Sequence, residues 1–224
     1  AAVFGVLRSR GVRLKRRLVP LLEFESGSND PTAVFLTIAF TGMALGSASS
    51  LAALVPAFLQ QMAIGGLFGA IMGEVGARCI NRARLDYDGL YAAITVALAC
   101  LAYGGASLLG GNGFLAAYLA GLFLARHSFL HRISLIQFHD GLAWLFQISM
   151  FLVLGLLAYP SKLVPVAAQG MYLALFLALL GRPLAVFISL LFTRSYTWRE
   201  KLLVSWAGLR GAVPVILATI PLTE

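Results

Sequence analysis

Seven long apolar segments dominate this sequence, at roughly residues 20–46, 50–77, 88–109, 112–126, 138–158, 162–192 and 202–222. A helix needs about 20 residues to cross the hydrocarbon core of a bilayer, and every segment except the fourth reaches that length. The sixth is long enough to tilt or to run past the membrane surface. None alternates with the period of two that a barrel strand requires, and none has a marked polar face. With 60% hydrophobic and 12% charged residues, the chain is far from a soluble domain and equally far from disorder. Two cysteines in 224 residues exclude a disulfide scaffold. The fold class is therefore an all-α polytopic membrane protein with about seven transmembrane helices.

The ends read as cuts. Ala1–Leu7 is an apolar run too short to cross a bilayer, and Thr223-Glu224 follows a span directly, so an internal fragment is expected. The 17 basic residues are distributed unevenly. Arg8, Arg10, Arg13, Lys15, Arg16 and Arg17 precede the first span, and Arg78, Arg82 and Arg84 follow the second. Arg126 and Arg132 follow the fourth, while Arg194, Arg199 and Lys201 follow the sixth. The intervening turns hold only Lys162. Alternation of this kind places the four basic connections in the cytoplasm. It also accounts for the net charge of +8 without invoking a nucleic-acid partner.

Glu23, Glu25, Asp30, Arg182 and Arg210 fall inside spans. A charge at the bilayer centre costs about 2.5–3.5 kcal/mol even on a lenient scale, so such residues face the bundle interior and serve transport or pairing. If the first span leaves the cytoplasmic surface near Val19, Asp30 lies roughly 16 Å deep, close to the midplane. It sits in Glu25-Ser26-Gly27-Ser28-Asn29-Asp30-Pro31. Pro31 has no N–H, so the Gly27 carbonyl loses its helical partner, and Ser26 lies one turn before Asp30 on the same face. A carboxylate, a hydroxyl and a freed carbonyl at one depth are hard oxygen donors suited to Na⁺, K⁺ or H₃O⁺ rather than a transition metal. The plainer alternative is a polar, kinked helix stitched to its neighbours. Glu25 and Asn29 share the adjacent face, and either Arg210 or Arg182 has the reach to neutralise Glu25. The sequence does not rank the two arginines.

These residues carry a resemblance. Glu25–Pro31, Asp140-Gly141-Leu142-Ala143-Trp144-Leu145-Phe146-Gln147 and Gly208-Leu209-Arg210-Gly211-Ala212-Val213-Pro214 resemble the NhaP-type monovalent cation/proton antiporters, and Ser28 is closest to the bacterial potassium/proton members. The resemblance implies a fold of about thirteen spans with inverted repeats, of which residues 1–224 are part of a single exchanger transmembrane domain. It implies that Asp30 binds the cation and the proton, with Ser26 a further ligand, and that Glu25 and Arg210 form a structural ion pair. Asn29 stands where electrogenic relatives have a second Asp, which implies electroneutral exchange. The family's Thr-Asp pair is expected before Ala1. A bacterial inner-membrane homodimer that exchanges K⁺ or Na⁺ for protons without a cofactor is the corresponding expectation.

Other features have plainer readings. His127 and His131 are four apart but lack a third ligand, so they read as residues of a solvated cytoplasmic turn; the alternative is that with His139 they sense cytoplasmic pH. Cys79 and Cys100 read as small reduced residues. Gly65, Gly69 and Gly73 form a stripe for close helix packing, within the chain rather than across a dimer. Glu74 and Arg78 fit a surface pair, and Asp140 fits the start of a helix. An intramembrane enzyme has no dyad, aspartate pair or His-Glu-x-x-His motif to work with. A passive channel and a non-transporting subunit are the remaining rivals, and concentration of polarity at one depth favours exchange over a pore.

Overall fold

The computed structural model describes residues 18–46, 51–83, 87–128, 132–157, 161, 164–191, 193, 196–207 and 217. Among the described residues all regular structure is helical. The elements are α1 (Leu18–Ala44), α2 (Leu51–Arg82), α3 (Asp88–Leu108), α4 (Gly113–Ala125) and α5 (Arg132–Leu157). A 3₁₀ turn (Val164–Val166) leads into α6 (Ala167–Phe176), a π-helical turn (Leu177–Gly181), α7 (Arg182–Ser189) and α8 (Trp198–Ala207). Four stretches are long and apolar enough to cross a membrane: Ala52–Arg82, Gly89–Leu108, Arg132–Leu156 and Ala167–Ser189. The chain is thus an all-helical, multi-pass membrane protein. At 27 residues α1 is long enough as well, and its polar Glu25–Pro31 stretch is what sets it apart from those four.

The chain divides into two units. One comprises residues 27–148, that is, the later part of α1 with α2, α3, α4 and most of α5. Its centre is the contact of α2 with α4, and the glycine stripe makes that contact. A Cβ placed on Gly65, Gly69 or Gly73 would come within 3.0 Å of the backbone or Cβ atoms of Asn112, Ala116, Ala120 and Phe123. Ala116 and Ala120 are themselves buried. Small residues four apart on both helices let the backbones touch, so the stripe serves packing within the chain. At the basic end, Ile80, Tyr91, Ala92 and Leu135 form a core from α2, α3 and α5, against which Leu124 of α4 packs. The Tyr91 hydroxyl donates to the Ala83 carbonyl at 2.7 Å and so closes the end of α2.

The turn from α3 to α4 needs its glycine. Gly110 has φ +74, its N–H donates to the Ser107 carbonyl at 3.1 Å, and the Gly111 N–H donates to the Ala106 carbonyl at 2.8 Å. This is a Schellman stop, and it delivers the chain directly to Asn112, the N-cap of α4.

The second unit holds residues 18–26 of α1 with the end of α5, α6, α7 and α8. Leu18, Leu22, Val186 and Val204 form its core. Thr197 and Glu200 make a capping box for α8, in which Glu200 Oε2 accepts the Thr197 N–H at 2.8 Å. Lys201 Nζ donates to the Leu190 carbonyl at 2.9 Å, a cation on the last carbonyls of α7.

Several expectations change. The fifth helix begins at Arg132 rather than near residue 138, because burial of Leu135 in the α2–α3 core draws its start forward. Asp140 therefore lies well inside α5 and has no cap position. His139 also sits within this helix, with Nε2 2.8 Å from Thr95 Oγ1 on α3. The Thr95 hydroxyl spends its proton on the Ala92 carbonyl at 2.8 Å, so His139 Nε2 is the donor. In the sixth segment the described residues begin their run with the 3₁₀ turn Val164–Val166 rather than an α-helix. Its continuous helix begins at Ala167, after Pro165. Glu74 pairs with Arg78 at 2.9 Å as the spacing suggests, and His127 Nε2 joins at 3.5 Å.

Candidate functional site

Asp30 lies within α1 and is partly buried, while its neighbours Ser28 and Asn29 are exposed. The helix continues through Pro31. Proline supplies no N–H to the Gly27 carbonyl, and the next carbonyl, that of Ser28, receives the Thr32 hydroxyl at 2.9 Å. Pro31 is fully buried. A Cβ on Gly27 would collide with the Tyr118 ring of α4, so a larger residue there would have to displace that ring. The side chains of Glu23 and Ser26 and all of Arg210 lie outside the described residues.

Asn112 is the residue that sequence reasoning missed. It is 5% exposed, and its Oδ1 accepts the Leu115 N–H at 3.0 Å as the cap of α4. Its Nδ2 donates to the Pro31 carbonyl at 3.0 Å, and its own N–H donates to the Gln61 carbonyl of α2 at 2.9 Å. One side chain thus ties α1 to α4 beside Asp30, and its backbone ties in α2. An Asn ahead of an apolar run is a helix-start signal legible in sequence. Its contact with Pro31, 81 residues away, is not.

Counted from Val19, Pro31 lies about 18 Å along α1; counted from Arg126 at the basic end of α4, Asn112 lies about 21 Å in. The first-turn N–H groups of α4 need partners outside their own helix ladder, and the Asn112 carboxamide serves that of Leu115, while its backbone carbonyl accepts the first helical hydrogen bond, from Ala116.

In the other unit, Arg182 Nη2 donates to Glu25 Oε1 at 2.7 Å, with the two side chains 25% and 19% exposed. The sequence around Arg182 explains its placement. Pro183 cannot donate to a helical carbonyl, and the turn before it widens so that the Arg182 N–H reaches back five residues to Leu177. One extra residue in a turn rotates the succeeding residues by about 100° on the helix. The π turn therefore sets which face carries the guanidinium. Glu25 was legible as an acid needing a partner; the widened turn was not. Phe187 and Trp198 pack with ring centroids 4.8 Å apart where α7 meets α8, which fixes the far end of this element.

Chemically, a carboxylate on a segment short of one helical hydrogen bond can hold a proton or a hard monovalent cation. The buried ion pair can hold a fold but offers no free charge.

Known proteins resemble this chain along its whole length. The profile of the sodium/hydrogen exchanger transmembrane region matches residues 1–224. The K(+)/H(+) antiporter NhaP2 of Shewanella oneidensis is 41% identical over 224 residues, which cover 99% of this chain and 38% of that protein. The K(+)/H(+) antiporter NhaP of Alkalimonas amylolytica is 40% identical over 221 residues, covering 99% and 38%. The Na(+)/H(+) antiporter 1 of Methanocaldococcus jannaschii is 28% identical over 220 residues, covering 92% and 50%. The chain spans about 38% of the length of the two potassium relatives.

Proposed function

Since this chain belongs to the sodium/hydrogen exchanger family, we propose that it carries the ion-binding carboxylate of a secondary antiporter exchanging K⁺ or Na⁺ for protons. The observation that carries this reading is the Ser28-Asn29-Asp30 turn, set in a membrane-length helix and held at Pro31 by a buried amide. Asp30 holds either a proton or a cation, never both, so the two compete. When each crossing occurs with the site occupied, competition becomes exchange. Ser26 and the Gly27 carbonyl complete the oxygen donors, and Asn29 leaves the turn with a single charge, which makes the exchange electroneutral. Glu25 is the structural partner of an arginine. The whole protein works as a homodimer in a bacterial inner membrane, with alternating access carried by movement of helices around the midplane.

The test is proton movement in vesicles carrying the full-length protein, followed with a pH dye under K⁺ or Na⁺ gradients. The apparent KM for the cation is expected to rise as pH falls, because protons occupy the same carboxylate, and an imposed membrane potential should leave the final gradient unchanged. Cation flux without proton movement would make the protein a channel and overturn the reading.

A further inference from the structure

We propose that Asn112 is a positioning residue for the Asp30 carboxylate, acting through the Pro31 carbonyl. The inference rests on reading Asp30 as the ion-binding group. A helix cap needs only an acceptor, and Ser, Thr or Asp would serve α4 as well as Asn. What Asn alone adds is a donor on the same side chain. That donor goes to the carbonyl of the residue following Asp30, at 3.0 Å, while Oδ1 takes the Leu115 N–H, also at 3.0 Å.

The hold falls where α1 is weakest. Pro31 deprives the segment 27–31 of one helical hydrogen bond, so the backbone bearing Asp30 is less constrained by its own helix. Helix α4 supplies the missing constraint at both ends of that segment. Asn112 fixes the Pro31 end, and the Tyr118 ring fills the space beside Gly27 at the other. Asn112 cannot easily shift, because its N–H donates to Gln61 of α2 and its carbonyl accepts the Ala116 N–H at 3.0 Å. Ion-binding groups act well only when held within about 0.5 Å, and the peptide held by Asn112 is that of the residue directly after Asp30.

The experiment uses the full-length protein with Asn112→Ser and Asn112→Asp. Both substitutions keep an N-cap acceptor; Asn112→Ser should stay close to the parent in thermal stability in detergent, and Asn112→Asp, which buries a carboxyl, should be less stable but still folded. Both lose the carboxamide donor, and the Asn112→Asp change would also set an oxygen against the Pro31 carbonyl. Loss of this second donor to the Pro31 carbonyl predicts a rise of roughly tenfold in apparent KM for K⁺ or Na⁺, larger for Asp than for Ser. The maximum rate should change less, and the pH at which the cation and the proton compete equally should move.

Folded variants with unchanged KM and pH profile would overturn the proposal and leave Asn112 a cap alone. Loss of folded protein in both variants would also overturn it, by making the residue a structural latch. Asp30→Asn in the same vesicles separates the two claims. Exchange that survives there removes the Asp30 reading; exchange that is lost while the Asn112 variants keep their KM removes only the positioning role.

Discussion

Arg182→Ala in the full-length protein is expected to lower stability by about 3–5 kcal/mol and to abolish exchange through loss of folded protein. The guanidinium donates to Glu25 at 2.7 Å, and three-quarters or more of each side chain is shielded. Removing one partner strands the other in a low-dielectric setting, which costs far more than the pair itself contributes. The double variant Glu25→Gln/Arg182→Gln should therefore be more stable than either single change, because no charge is left unmatched. Thermal unfolding of the four proteins in detergent measures this coupling directly. A parallel cycle of Glu25 with Arg210 distinguishes the two arginines that the sequence left unranked. Strong coupling is expected with Arg182 and weak coupling with Arg210; the reverse would show that Arg210 is the functional partner.

Gly69→Val is expected to do comparable damage by a different route. The new Cβ alone would come within 3.0 Å of the Ala116 backbone, so α2 and α4 must separate along their closest line of contact. Overpacking of this kind costs about 1–3 kcal/mol where neighbours can adjust, and here the neighbour is main chain rather than a flexible side chain. Helices that pack through small residues in lipid have no hydrophobic drive to compensate for the lost contact. The yield of folded protein by size-exclusion chromatography should fall sharply for Gly69→Val. Gly121→Val, on α4 with open space around its Cα, should leave the yield unchanged. Equal behaviour of the two would remove the glycine stripe as the α2–α4 contact.

Much of this was legible in the sequence because the bilayer restricts the choices. Length and apolarity placed the helices. The Gly65, Gly69 and Gly73 spacing gave a packing face, and Glu74 with Arg78 gave an ion pair at the spacing observed. Helix ends were less legible, since tertiary burial decides them. Leu135 moves the start of α5, and with it the positions of His139 and Asp140. Register within α6 and α7 was not legible either. The five-residue hydrogen bond to Leu177 that aims Arg182 depends on how the chain accommodates Pro183, which has both α and π solutions. At the candidate site, Asp30 stood out because a carboxylate in lipid demands an explanation. Asn112 did not, because nothing local distinguishes a cap that serves only its own helix from one that also holds another.

Competition between cation and proton for Asp30 is the centre of the proposed mechanism. It is tested most directly by ion-driven proton movement in vesicles carrying the full-length protein and its Asp30→Asn variant, with thermal stability of both measured alongside. The expected result is a folded variant, matched in stability to its parent, that exchanges neither K⁺ nor Na⁺ for protons. A folded Asp30→Asn protein that still exchanges either cation at the parent's rate would contradict the mechanism.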